Sequence, residues 1–401
     1  MKVPYLRSVL FFISTGFSQI YGKSAPHIAL PEGQTLPENL WRFRSVHKFY
    51  EGSKGYDKDG HSYSSGFSGE GHGSGWVLEY GLTDKVSLQV LVPYYYRQSV
   101  VLDGENFRET DLYQSEYQKA MDLVTGKLVE KGLCPNKGAC EGLVKSGFRL
   151  PQGQTITVPH SGEQLVISSE EEIQVFIDRF ILNGAAPSGN GKVGLGDVET
   201  GILWNVFRSP QWSFSMGMGL RWPTGSFKDV PQGYRPTGGG IYELGTRLNL
   251  DYELCSGLWL SYQDQLEIPL NTAERKRSSD ASPDSFLPED TTTPILYKKK
   301  SPTREAFLKV NYGLGVLSSY LEPYGVFGSY IYKKDGTMEI DGHVKRKAQS
   351  LHWGTFGAYV DGRNYGVPFG FDIERRIPLG GRNALVAPDI TVLSLKMYAK
   401  F

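Results

Sequence analysis

From Trp212 to Trp222 the chain alternates without a break. Trp212, Phe214, Met216, Met218, Leu220 and Trp222 are large and apolar, while Ser213, Ser215, Gly217, Gly219 and Arg221 are small or polar. A period of two marks a strand with two unlike faces. Tryptophan at both ends of the apolar face suits a lipid headgroup boundary. The length fits as well, since a tilted strand crosses a bilayer in roughly 9–11 residues. The stretch predicts a membrane-crossing strand; a water-soluble sandwich is the competing reading.

Similar alternation recurs along the chain. It predicts strands at Leu40–Tyr50, His72–Leu82, Lys85–Tyr96, Val193–Phe207, Ile241–Leu254, Leu258–Pro269, Arg304–Val316, Tyr320–Tyr332, Ser350–Asp361 and a stretch ending near Pro378. A last strand carries Leu393, Leu395, Met397, Ala399 and Phe401 on one face. With Trp212–Trp222 this makes twelve. In Ile241–Leu254 the second face carries Glu243, Arg247, Asn249, Asp251 and Glu253. Unpaired charges are costly to bury, so that face meets water or a charge network. Asp264 falls on the lipid-facing parity of its strand, which calls for a bulge or a position near the rim.

Connections alternate between tight turns and long loops, as they do in outer-membrane barrels. Residues 51–75, rich in glycine and serine, read as a flexible loop. Gly69, Gly71 and Gly73 do not read as a phosphate cradle, because no helix follows them. Asp57-Lys58-Asp59-Gly60 is too short for a calcium loop and reads as a turn. The expectation is therefore an all-β fold: a transmembrane antiparallel up-and-down β-barrel of about twelve strands, closed so that no edge meets lipid.

Residues 97–192 interrupt the pattern as a largely helical insertion in one long extracellular loop. A helix from Glu170 to Leu182 has Ser169 and Glu172 as a capping box. Ile173, Phe176, Ile177, Phe180 and Ile181 share its face. A weaker helix spans Glu109–Lys131, with Tyr113, Tyr117, Met121 and Val124 aligned. An insertion of this size is usually functional. It reads as an external cap, as a plug or lid in the barrel mouth, or as a separate soluble domain.

Composition adds to the picture. The 401 residues include 48 glycines and 24 tyrosines with zero formal net charge. Balanced charge argues against a nucleic-acid partner. Lys2, Arg7 and the apolar run Val9–Phe17 predict a signal peptide over residues 1–25, leaving 26–401 as the barrel with its insertion. Cys134 and Cys140 share a polar loop and can close a disulfide in an oxidising compartment. A zinc site fits them less well, and no metal or cofactor is expected. Cys255 stands alone in a tight turn.

Two resemblances sharpen the reading. The terminal Phe401, preceded by alternating apolar residues, resembles the assembly signal of bacterial outer-membrane proteins, although Ala399 is smaller than the usual aromatic. It implies the barrel-assembly machinery as a partner. GLGDVETGILWNVF (Gly194–Phe207) and GWVLEYGLTDKVSLQVLVPY (Gly75–Tyr94) resemble the outer-membrane family labelled as the MetA pathway of phenol degradation. The family implies an envelope barrel and suggests transport, with phenol itself not carried over.

The function expected is passive passage of small solutes, with room for an apolar one, and with the insertion restricting access. The lumen-lining candidates are Arg42, Arg44, Lys48, Arg221, Arg247 and Lys309, with Glu79, Asp197, Glu199, Glu243, Asp251, Glu253, Asp372 and Glu374. They either pair across the lumen and stiffen it or line a polar path. The basic runs Arg275–Arg277 and Lys298–Lys300 read as solvated surface, or as contacts to lipopolysaccharide in the surrounding outer-membrane lipid. A non-conducting barrel that displays its loops is one alternative. A lipid hydrolase using His47, His72 or His352 is another, but no Gly-x-Ser-x-Gly elbow occurs and no catalytic residue is assigned.

Overall fold

The computed structural model describes residues 35–400, apart from 146–154, 158–163, 167–174, 176, 180, 183–190, 231–235, 277–294, 322 and 363–367. The expected signal peptide over residues 1–25, Phe401, the expected helix cap at Ser169 and Glu172, and three of the apolar helix positions (Ile173, Phe176 and Phe180) lie outside the described residues.

Twelve strands form the wall: β1 Leu40–Tyr56, β2 Ser62–Thr83, β3 Val86–Leu102, β4 Val198–Arg208, β5 Trp212–Trp222, β6 Glu243–Cys255, β7 Leu258–Pro269, β8 Thr303–Gly313, β9 Tyr324–Asp335, β10 Gln349–Asp361, β11 Phe369–Arg382 and β12 Asp389–Lys400. Each pairs antiparallel with its neighbours in sequence, β1 pairs with β12, and the ring closes. A two-residue piece, Gly194–Leu195, pairs with β3 ahead of β4. β5 and β7 have the bounds that the alternation predicts.

The two faces separate as a membrane barrel requires. Ile202, Met216, Met218, Leu248, Leu308, Phe356, Ile373 and Met397 point outward and are exposed. Arg44, Glu243, Asp251, Lys309, Glu374 and Lys396 point inward and are buried. Aromatic pairs mark both rims. Trp41 packs on Tyr80 (centroids 4.5 Å apart) and Trp212 on Tyr252 (4.1 Å) at the short-turn end, and Trp222 meets Tyr242 (6.1 Å) at the other. Aromatic pairs at both rims are what a bilayer-crossing β-barrel places at its two headgroup boundaries.

Residues 51–75 differ from the expected loop. β1 and β2 run through them, leaving only the turn at 57–61, where the Asp57 carboxylate accepts from the N–H groups of Asp59, Gly60 and His61. Glycine here makes space rather than a loop: a Cβ on Gly71 would collide with the Tyr50 ring. β1–β3 span 17, 22 and 17 residues. That exceeds the roughly 9–11 needed to cross, so they continue as a wall beyond the bilayer.

The insertion accordingly opens after Leu102 rather than at residue 97. It holds α1 Gly104–Arg108, capped by Asp103, α2 Asp111–Glu130, capped by Thr110, and α3 Lys137–Lys145, which the pattern did not mark. Residues 177–179 and 181–182 are helical, and Ile177 and Ile181 are buried. Phe107, Met121, Val124, Ile177 and Ile181 pack in one cluster with Tyr50, Phe67 and Tyr95 of the barrel and Val386 of the β11–β12 connection. Fully burying a side chain such as Phe107 or Ile181 contributes about 1.5–3 kcal/mol. The helices therefore form one unit docked on the wall. Cys134, in the α2–α3 connection, is disulfide-bonded to Cys140 of α3, with Cα atoms 5.4 Å apart, and Cys255 is an exposed free thiol.

The charged stretch read as plain loop before β8 also differs. Ala273–Lys276 and Ile295–Lys300 pair with each other; the second pairs on to Met338–Ile340, which in turn pairs with His343–Arg346, both from the β9–β10 connection. This small sheet stands over the long-connection end.

Candidate permeation path

Strand alternation sends every second side chain inward, and the barrel is narrow enough for these to meet. Arg42 donates to both carboxylate oxygens of Glu79 (2.5 and 2.9 Å), with Arg44 3.4 Å away. Asp372 binds Lys396, and Arg376 donates to Glu374 at 2.7 Å. Lys48 is buried with Glu305 and Glu374 as counter-charges. The Lys309 ammonium lies 4.3 Å from the centre of the Phe327 ring. These groups fill the lumen on the side of β1 and β8–β12.

Three candidates stand apart. Asp197 is buried, and its carboxylate accepts from the N–H groups of Gly225 (3.0 Å) and Gly239 (2.6 Å), tying the β5–β6 connection to the wall. Glu253 accepts from Gly257 N–H (3.2 Å) in the short turn after β6. Asp251 is fully buried beside Ser213 in the register of β5 and β6.

The other side of the lumen is organised differently. Reading across the strands, Gln89, Gly201, Gly219, Gly245 and Glu267 are successive partners on β3, β4, β5, β6 and β7. Three neighbouring strands thus present no side chain inward at one level. The row above is Glu199, Arg221 and Glu243; the row below is Leu203, Gly217, Arg247 and Gln265. With strands about 4.8 Å apart, the bare patch is about 10 Å wide. A cavity of ≈ 80 Å³ lies against it, lined by these residues. That is room for several waters.

Above the patch Arg221 gathers three carboxylates: Glu199 and Glu267, each at 2.7 Å, and Glu243. Lys300, at the end of the outer sheet, adds a second cation, 2.8 Å from Glu243. Arg247 below donates to the Gln265 amide oxygen at 3.4 Å. Glu267, Gln265, Gln89 and Lys300 were not among the sequence candidates. Gln265 and Glu267 carried a usable signal, since they alternate with Leu266 and Ile268. Lys300 carried none, because a loop residue has no parity.

The histidines lie on the outer face. His47 contacts His72 (3.4 Å) and Ser45 (3.4 Å), and His72 is stacked between Phe49 and Tyr96. His352 contacts Tyr330 and packs near Tyr332. They sit among the aromatic side chains of the outer surface.

No family model matches the chain, and no curated protein matches it. Solved structures do. An outer membrane channel from Pseudomonas putida F1 matches with a TM-score of 0.58 at 11% identity, over 93% of this chain and 100% of that one. The CymD monoaromatic hydrocarbon channel matches at a TM-score of 0.34 and 10% identity, over 91% and 89% of the two chains. The first of these shows the fold: a closed antiparallel β-barrel like that of an outer membrane channel.

Proposed function

We propose that this protein is a passive channel for small solutes, whose path follows the glycine wall of β4–β6 past Arg221 and its carboxylates. The observation that carries the reading is the row Gly201, Gly219, Gly245. A barrel that served only as a scaffold would fill this level with side chains, as it does on the opposite side. Both signs of charge line the path, which favours small polar or zwitterionic solutes over strong ion selection; Leu203 and the bare backbone tolerate an apolar part. The insertion narrows access from the β1–β3 side, because it buries the inward-facing Tyr50 and Tyr95. In this reading Ile177 and Ile181 hold the lid together. The chemistry is passage, not catalysis. Around the barrel, outer-membrane lipid meets the apolar band, lipopolysaccharide meets basic groups such as Lys298 and Lys299, and β12 is presented to the barrel-assembly machinery.

A second reading, a non-conducting barrel that displays its loops, draws support from the filled half of the lumen. Planar-bilayer conductance separates the two. The intact protein is expected to conduct, and Gly245→Leu, which points a side chain into the cavity, to conduct less. No conductance from either the intact protein or one lacking residues 109–182 would leave the display reading standing.

A further inference from the structure

The cavity beside the glycine wall is electrostatically lopsided. At its upper end three carboxylates, Glu199, Glu243 and Glu267, face two cations, Arg221 and Lys300. At its lower end stands Arg247, whose described partner is the neutral Gln265 amide at 3.4 Å, the long limit of a hydrogen bond. Glu79 feels the Arg247 charge, but its carboxylate is already taken by Arg42 and Arg44. Between the two ends lies a floor without side chains, made by Gly201, Gly219 and Gly245, with Gly217 one row below.

We propose that this cavity is a binding station for a small planar carboxylate that carries a hydrogen-bond donor at its far end. The proposal rests on the channel reading above and names its solute class. A guanidinium fork matches a carboxylate with two parallel hydrogen bonds, and Arg247 has that fork to offer. A planar ring then lies on the floor, where each glycine keeps a Cβ from lifting it away. Rows on one face of a strand are about 6.8 Å apart, so the bare patch is about 10 Å by 7 Å, the scale of one six-membered ring. The far end of the solute meets Glu199 and Glu267, which accept hydrogen bonds and repel a second anion. A hydroxyl or ammonium is therefore favoured there, and a dicarboxylate is disfavoured. At ≈ 80 Å³ the cavity encloses only part of such a ring. Partial enclosure suits a station on a path, where a solute must also leave.

Equilibrium dialysis of the purified full-length protein tests this with three probes: 4-hydroxybenzoate, 4-hydroxybenzyl alcohol, which has the same ring without the carboxylate, and acetate, which has the carboxylate without the ring. Native folding of each variant is checked by heat-modifiable migration on gels. 4-Hydroxybenzoate is expected to bind best. Arg247→Gln should weaken it about tenfold or more, the value of a charge-assisted hydrogen-bond pair, and Arg247→Lys should recover part of the loss. Gly245→Leu should also abolish the preference for the ring over acetate. Equal binding of the alcohol and the acid, or an unchanged affinity in Arg247→Gln, overturns the proposal. Binding without any flux in proteoliposomes would keep the station and reject the channel. Flux of a neutral pentose with no 4-hydroxybenzoate binding would do the reverse.

Discussion

Gly201 and Gly219 face each other directly across β4 and β5, and a Cβ added to Gly219 would stand 2.7 Å from the Thr200 carbonyl oxygen. The neighbour is backbone and cannot swing aside. Gly245, one strand over, is different: nothing lies closer than 3.8 Å to its Cβ position. Gly219→Ala is therefore expected to destabilise the barrel by about 1–3 kcal/mol, the usual range for overpacking. Gly245→Ala should stay within about 0.5 kcal/mol of the parent. Urea unfolding in lipid vesicles, followed by tryptophan fluorescence, measures both. Equal losses at the two positions would mean that the close Thr200 carbonyl is not what makes Gly219 sensitive.

On the outer face Arg304 donates to both oxygens of Asp264, at 2.9 and 2.6 Å. The charge that looked misplaced on β7 is thus answered by its neighbour on β8, without a bulge. An arginine on the lipid face costs from about 0–1 kcal/mol near the interface to about 2–4 kcal/mol at the midplane. Asp264→Ala strands Arg304 there and should destabilise the barrel. The double variant Asp264→Ala, Arg304→Ala removes both charges and should be more stable than the single one. If the double variant is the worse of the two, the pair is not what keeps Arg304 tolerable.

Asp178 ties the end of the insertion to its beginning, accepting from Arg108 (2.8 and 2.9 Å) and from the Tyr113 hydroxyl (2.7 Å). The hydrogen bonds from Arg108 hold its carboxyl below the usual carboxylate range, against partial burial. A depressed carboxylate stabilises fully above its unfolded value of about 3.9. The contribution is lost as pH falls through the lower folded value. Hydrogen exchange of residues 177–182, corrected for intrinsic rates, should show constant protection from pH 7 to 5 and a fall below about pH 4. Asp178→Asn should lack the protected plateau at pH 6 and converge with the parent in acid. A parent and variant that differ equally at every pH would exclude the titration of Asp178 as the cause.

Much of the wall was legible because period-two alternation survives wherever one face meets lipid: Trp212–Trp222 shows it undisturbed, and Leu258–Pro269 shows it broken only at Trp259 and Asp264. It failed above the membrane. Residues 51–75 have little apolar contrast, since both faces there meet water or the helices, and glycine-rich strand and glycine-rich loop then look alike. The outer sheet at Ala273–Lys276 and Ile295–Lys300 was hidden for the same reason. Strand parity marked Arg221, Glu243 and Lys309 as inward, but it passed over Gln265 and Glu267 and could not show the pairing. Gly201, Gly219 and Gly245 become a surface only once two registers are fixed, and the sequence holds them 18 and 26 residues apart. Asp197 misled differently: its parity resembles that of a lumen group, while its carboxylate serves two loop N–H groups.

Arg221 binds Glu199, Glu243 and Glu267 together, and Lys300 reaches the same group from the outer sheet. Three negative charges against two positive ones leave this level of the path negative by one, with the arginine at its centre. Replacing Arg221 with glutamine would leave only Lys300 as counter-charge, a change of one full unit. The reversal potential of a planar bilayer under a potassium chloride gradient should then shift toward cations. Lys300→Gln should shift it the same way but less, because Lys300 enters from the rim and lies 3.9 Å from Glu267. Breaking a buried pair costs about 3–5 kcal/mol, so a folded but loosened barrel could also change its conductance. Arg221→Lys keeps the charge while losing the bidentate contact, and it should hold the parent's reversal potential even if stability drops. An Arg221→Gln barrel that folds, conducts and shows the parent's reversal potential would mean that ions cross the lumen by some other route than the glycine wall.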